Sequence, residues 1–355
     1  MLRGDRMAKP GRGVPPFLPY ACPVTPADLS MTVLHAVRRA VDEDALRAPV
    51  PTRVRVERTR PGGRGEYACA VALQLAGPAA LPARDVAEIL RERVLEAPGI
   101  EDVEVTGPGF LNFTLRAGAR GLDALVRTVA THGTAYGHGD ALAGTAVSFV
   151  PVEELRARVV TGTVERLLRA QGAEVGERTA GGEALHVMPV PAAHRDLFVR
   201  LGSDAARWSL LRAAPHDRPR GTGSEELLVQ QEGNPLFRVR YAHARIRALG
   251  HNARQLGFAA AYEESVDAPV LGALLADHPG VLAAAARHRE PDRVARQLEA
   301  LAQAFFDFHD SASPLPVGDE KPSAAHRSRL ALAEAAGTVL AGGLSLLGIS
   351  APEVL

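Results

Sequence analysis

Residues 234–256 read NPLFRVRYAHARIRALGHNARQL. Asn234 followed by Pro235 is a helix start: a side-chain oxygen able to cap, then a ring whose missing N–H costs nothing in the first turn. Behind them Val239, Ala242, Ile246, Leu249, Ala253 and Leu256 step by three and four, the stripe of a helix that faces a core. The same stretch holds five arginines, Arg238, Arg240, Arg245, Arg247 and Arg254, and no acid. Their spacing puts Arg240, His243, Arg247, His251 and Arg254 on one face. Guanidinium groups without counter-charges create a local field suited to phosphate. The plainer alternative is a solvated face in an arginine-biased protein.

From Asn234 onward the pattern is helical, with further helices expected at 270–277, 281–289, 292–308 and 323–347 and breaks at Pro279-Gly280 and 313–322. This predicts an all-α bundle. The other end reads differently. Thr25-Pro26-Ala27-Asp28 starts a helix, Arg53 to Glu57 alternates as a half-buried strand does, and Tyr67 to Leu75 is a second strand-like run after the turn Pro61-Gly62-Gly63. A helix over 82–96 and a strand pair, 103–105 with 110–115, complete a compact α+β domain. Within it Gly107-Pro108-Gly109-Phe110-Leu111-Asn112-Phe113 offers a stacking plane in Phe110 and a bidentate amide in Asn112, the means by which unpaired RNA bases are held. A tight hairpin with Phe110 in the core is the alternative. Between the two lie a short strand at 147–150, a helix at 155–170, a strand at 185–190 and a helix at 203–211. That is an α/β signature of one or two units, too few for a doubly wound sheet. The expected division is a disordered tail over 1–26, an α+β domain over 27–118, a truncated α/β region over 119–233 and a helical domain over 234–355.

Composition narrows the chemistry. The 355 residues carry 41 basic and 41 acidic side chains, and only Lys9 and Lys321 are lysines. There is no Gly-Lys-Ser/Thr phosphate loop, and neither lysine sits in a pattern that would bury it for Schiff-base chemistry. Two cysteines, Cys22 and Cys69, cannot build a disulfide framework or a zinc site, so a reducing cytoplasm is the expected compartment. The twelve histidines follow no metal-ligand spacing, and no metal is expected. Neither a membrane-spanning run nor a signal-peptide core is read in the chain, so no membrane partner is expected.

The quoted motifs resemble those of arginyl-tRNA synthetase. Asn234 to Arg245 is similar to the family's N-P-V-F-Y-V-Q-Y-A-H-A-R, which opens its helical anticodon-binding (DALR) domain. Arg329-Leu330-Ala331-Leu332, Leu344 to Ile349 and Ala351-Pro352-Glu353 are similar to the family's ending, and Gly65-Glu66-Tyr67-Ala68 with Gly107 to Phe113 resembles its N-terminal additional domain. The resemblance implies that Phe110 and Asn112 meet the tRNA elbow. It also implies that Arg238, Arg240, Tyr241, His243, Arg245, Arg247 and Arg254 lie on the helix facing the anticodon stem-loop. Where the family has Tyr and Gln, this chain has Arg238 and Arg240.

In the middle the resemblance breaks. Thr161 to Val175 resembles the helix that follows the class I signature His-x-Gly-His, which places Pro151-Val152-Glu153-Glu154 where that signature would stand. Gly202 to Trp208 resembles the family's G-x-D-A-x-R-Y, yet residues 188–200 upstream of it hold no K-M-S-K-S-like loop and no lysine. No catalytic residue carries over, and ATP, which the family uses, has no recognisable site, so no cofactor is expected. The leading expectation is a tRNA-binding synthetase-like protein, with arginine-accepting tRNA as partner, that has lost aminoacylation. The alternatives are arginine–tRNA ligase activity in trans with a catalytic partner, and a scaffold that pairs with a synthetase or another protein through the truncated region.

Overall fold

The computed structural model describes residues 26–59, 64–97, 99–115, 121–191, 196–219 and 225–355. The N-terminal tail, the Pro61-Gly62-Gly63 turn and the domain end near Gly118 fall outside these residues.

The first body is built on α1 (Pro26–Asp42), whose Leu29, Val33, Val37 and Ala40 are buried at helical spacing. Strands β1 (Val56–Arg58), β2 (Tyr67–Cys69), β3 (Ile100–Thr106) and β4 (Phe110–Leu115) form an antiparallel sheet in the order β1-β2-β4-β3. Between them lie α2 (Val71–Ala79) and α3 (Ala83–Leu95). The strand expected over 67–75 is therefore shorter than read: only its first three residues pair, with Phe113, Asn112 and Leu111 of β4. The rest turns helical, because Val71, Ala72 and Leu75 bury with the period of a helix rather than of a strand. These elements close one hydrophobic core running from Leu29 to Leu115.

The second core runs from Leu125 to Ile349, so the middle segment has no core of its own. It begins with α4 (Leu122–His132), a helix absent from the sequence reading. Then β5 (Ala146–Val147), α5 (Leu155–Ala170) and β6 (Glu174–Val175) make one parallel βαβ unit, and a bridge between Phe149 and Glu183 extends the pairing. The strand expected at 185–190 does not form. Its backbone is satisfied otherwise: Met188 N–H donates to Pro215 and Val190 N–H to Glu154, while the Met188 carbonyl accepts from Arg156. Next comes α6 (Leu197–Leu211), which starts six residues earlier than expected and kinks at Gly202, where φ is 72°.

Arg156 binds this segment together. Its guanidinium is fully buried and donates to the carbonyls of Leu210, Ala213, Ala214, Met188, Pro215 and Asp217. A buried cation is tolerable only when all its donors are used, and here the acceptors include the negative end of the α6 dipole.

The bundle consists of α7 (Pro235–Gln255), α8 (Pro269–His288), α9 (Asp292–Ser311) and α10 (Ala324–Leu347). The break expected at Pro279 is not there; α8 continues through it. A mid-helix proline strands the carbonyl four residues earlier, and here the Tyr136 hydroxyl donates to that carbonyl, of Leu275, at 3.1 Å. Helices α8 and α10 are long and apolar enough to cross a membrane by length and composition, against the sequence reading; the most apolar 18-residue stretch of α10 is 78% buried inside the bundle. Gly342 lets that helix approach the main chain, since a Cβ there would meet the Thr134 carbonyl oxygen at 2.5 Å.

Two expectations follow. Trp208 is the only tryptophan and is fully buried in the second core, so its fluorescence reports unfolding of that body. Arg156→Leu removes a donor from six carbonyls, and Arg156→Lys lacks the planar fork, so urea titrations followed at Trp208 should lose about 3 kcal/mol or more for either. Stability should also fall in acid. His278 is fully buried, its Nδ1 lies 2.7 Å from Gln297 Oε1, and burial pushes its pKa down to about 4. The unfolded chain takes up the proton near pH 6.5 and the folded one does not. The stabilisation present at neutral pH is therefore lost as pH falls from about 6.5 to 4, on the order of 3 kcal/mol for this group. A His278→Asn variant should show a correspondingly shallower acid slope in the same titration.

Candidate nucleic-acid interface

Asn234 caps α7 as its position suggests. Its Oδ1 accepts from the N–H groups of Leu236 and Phe237 at 3.0 and 3.2 Å, and its Nδ2 donates to Leu227 and Val229 carbonyls. The apolar stripe of α7 packs on α9 and α10, which leaves a fixed set of side chains outward. Tyr241 is 41% exposed, with its ring between Phe237 on its own helix (5.4 Å, 10°) and Phe306 of α9 (5.8 Å, 24°). Arg238 beside it donates to Gln303 Oε1 at 3.0 Å, and Gln303 in turn donates to Asp307. Arg245, one turn on, is exposed and has no hydrogen bond or ion pair among the described residues. The exposed edge of this aromatic row beside an unpaired guanidinium can meet a base edge-on and a phosphate.

The opposite flank of α7 departs from expectation. Arg240, His243 and Arg247 are not an open basic face, because the last residues of the chain lie across them. His243 is buried and donates from Nδ1 to the Pro352 carbonyl at 2.9 Å; burial holds its pKa below the ordinary histidine value. Arg247 pairs with Glu353 at 2.7 Å. Arg240 is three-quarters buried, lies 3.8 Å from the Asp204 carboxylate, and has a buried Nε without a partner. Two of the five guanidinium groups therefore have acids nearby. No local pattern could have announced it, since Asp204 and Glu353 arrive from other parts of the chain. Arg254 remains exposed, its Nε donating to Gly250.

In the first body, the turn between β3 and β4 presents Phe110 at 37% exposure. Gly109 makes this geometry possible: its φ is +136°, and a Cβ would stand 2.7 Å from the Ala83 carbonyl oxygen. Asn112 is not presented beside Phe110. It is buried, and its Nδ2 donates to Thr106 Oγ1 at 2.6 Å, so it braces the hairpin on which Phe110 stands.

At the start of α5, Glu154 is the cap. One carboxylate oxygen accepts from Ala157 N–H at 2.7 Å and the other from Val190 N–H at 3.0 Å, while Glu153 is exposed. A helix N-terminus is where anions are held by free N–H groups. Here the chain supplies its own carboxylate to that end, with a second one next to it in sequence. Lys321, the one lysine among the described residues, is exposed in the segment between α9 and α10.

Comparison with known proteins agrees with this layout. Residues 29–115 match the family model of the arginyl tRNA synthetase N terminal domain, and residues 239–355 match that of the DALR anticodon binding domain. An arginine–tRNA ligase of Frankia alni is 27% identical over 554 residues, covering 93% of this chain and all of that protein. One from Pseudarthrobacter chlorophenolicus is 41% identical over 169 residues, which are 45% of this chain and 30% of that protein. Because the Frankia alignment runs over 554 residues and takes in 93% of the 355 here, about 220 aligned positions have no counterpart in this chain. The arginyl-tRNA synthetases of Thermus thermophilus and Plasmodium falciparum share the fold, each with a TM-score of 0.59, at 14% and 9% identity. They cover 93% of this chain, and 100% and 99% of their own chains are covered. With both terminal domains of that family in family order, the chain is an arginyl-tRNA synthetase-like protein.

Proposed function

We propose that this protein binds tRNA, with arginine-accepting tRNA preferred, through its anticodon-binding helices and N-terminal hairpin, and that it does not itself form arginyl-tRNA. The setting is the cytoplasm. The observation that carries the loss of catalysis is Glu154, which fills the helix end where the resemblance sets the nucleotide-binding histidines. Adenylate formation concentrates negative charge on the phosphates, and a carboxylate there opposes it. The single βαβ unit supports the same reading: it is a vestige of a Rossmann core, closed over by the bundle. The scaffold alternative loses support, since Val199 is the one large hydrophobic side chain exposed between 145 and 210 among the described residues. The ligase alternative keeps one argument, that the named relatives are arginine–tRNA ligases.

In this reading Phe110 stacks on a base, the exposed edge of Tyr241 packs against one, and Arg245 and Arg254 hold phosphates. Arg238 is tied to α9 through Gln303. Binding of the full chain to arginine-accepting and unrelated tRNA across a salt series should be salt-sensitive and tighter for the former. Tyr241→Ala and Phe110→Ala should each weaken it by about 1–3 kcal/mol without changing the circular dichroism, and Arg245→Ala should lower the salt slope by about one. With ATP, arginine and the same tRNA, no arginyl-tRNA should accumulate above background. Arginylation by the protein alone would overturn the catalytic half of the proposal, and absence of tRNA binding at low salt would overturn the other half.

A further inference from the structure

Residues Glu225–Leu228 form a short helical turn that packs on both α6 and α7. The three elements line a cavity of about 340 Å³, the low end of the range for small-molecule sites. Leu201, beside the kink of α6, and Leu227, Leu236 and Phe237 are its apolar walls. The Phe237 ring is fixed by its stacking on Tyr241. Leu228 and Val229 line the same cavity while remaining half exposed.

Two charged side chains complete the lining, Arg240 from α7 and Asp204 from α6. Their charged ends lie 3.8 Å apart, each side chain about three-quarters buried, and they share no hydrogen bond. Ser350 bonds to both instead. Its N–H donates to Asp204 Oδ1 at 3.2 Å and its hydroxyl donates to Oδ2, while the hydroxyl oxygen accepts from Arg240 Nη2 at 3.5 Å. That is the one hydrogen bond of Arg240 among the described residues, and its buried Nε has no partner. A guanidinium carries five N–H donors, and leaving them unmatched away from water costs free energy. A pair that served only to hold the fold would close to bonding distance, as Arg247 and Glu353 do on the same flank at 2.7 Å. Asp204 also keeps capacity, since a carboxylate accepts more than the two bonds Ser350 supplies.

A cation and an anion side by side in an apolar cavity match a ligand that carries the opposite pair on one carbon, next to an apolar group. We infer that this cavity binds a free α-amino acid with an apolar side chain. Its carboxylate meets Arg240, its ammonium meets Asp204, and its side chain lies against Leu201, Leu236 and Phe237. Among the described residues Asp204 is the only acid in the lining, so a cationic side chain such as that of arginine has no partner there. Amino-acid binding at this place is separate from RNA binding, since neither Tyr241 nor Arg245 lines the cavity.

The test is isothermal titration calorimetry of the full chain with L-phenylalanine, L-leucine and L-arginine, and with phenylpropionate and phenylethylamine, which lack the ammonium and the carboxylate in turn. L-phenylalanine or L-leucine should bind at one site, with L-arginine and both deletion analogues at least tenfold weaker. Arg240→Ala and Asp204→Asn should each weaken binding tenfold or more. Val229 is half exposed, so Val229→Trp fills the cavity from its rim without disturbing a core. It should abolish binding with the melting temperature unchanged, which keeps the test decisive if either charge variant fails to fold. Arg84→Ala, an exposed arginine of the first body, should match wild type. Wild type that takes up none of the three amino acids, or Val229→Trp that binds as wild type does, overturns the site. Phenylpropionate binding as tightly as L-phenylalanine overturns the role of Asp204 and leaves a simple carboxylate pocket. L-arginine binding tightest overturns the apolar assignment.

Discussion

The second body depends on the burial of one guanidinium. Arg156 has no carboxylate among its bonded partners; it is held by six main-chain carbonyls drawn from the end of α6 and from residues 188 and 213–217. Those acceptors could otherwise have paired in a sheet ladder. The middle segment has a single short parallel pair, and Arg156 takes the place of the strands a larger α/β layer would supply. With its carbonyls so fixed, α6 lays Trp208, Leu210 and Leu211 against the bundle, and the segment shares that core instead of building one.

This economy shapes the surface as well. A small α/β layer left open would show a broad apolar face; here its apolar side chains pack into the common core. The exposed aromatic and arginine side chains described above lie on the bundle and on the first body. On α7 the flank toward the chain's end is occupied by Pro352, Glu353 and Ser350, while the flank toward α9 keeps Tyr241 and Arg245 open. Charge density on a helix is thus a poor guide to where an anion can bind. What counts is which guanidinium groups still have unused donors once tertiary partners have been assigned.

Much of the architecture was legible because it is written in short-range signals. The Asn234-Pro235 cap, the three-four spacing of α7 from Val239 to Ala253 and the glycine turn before Phe110 each act within one or two turns of chain, and each formed as read, while Leu256 at the end of the stripe is exposed. The misread elements share one cause. Residues 71–75, the end of the strand-like run 67–75, read as strand because an apolar run does not declare its period until its neighbours select one. Pro279 was assigned to a break because its remedy, the Tyr136 hydroxyl, lies more than a hundred residues away in the chain.

The same division runs through the candidate site. By itself the sequence determined that α7 is an amphipathic helix rich in arginine, that a phenylalanine stands at a glycine-bounded hairpin, and that carboxylates occupy the start of α5. These are properties of residue type and spacing. Tertiary structure alone decided that Asn112 turns inward to brace its hairpin, that Arg240 and Arg247 meet acids, and that Tyr241 is framed by Phe306. The physical reason is that a side chain's availability depends on which distant polar groups and rings reach it, and those are set by packing rather than by the residues on either side.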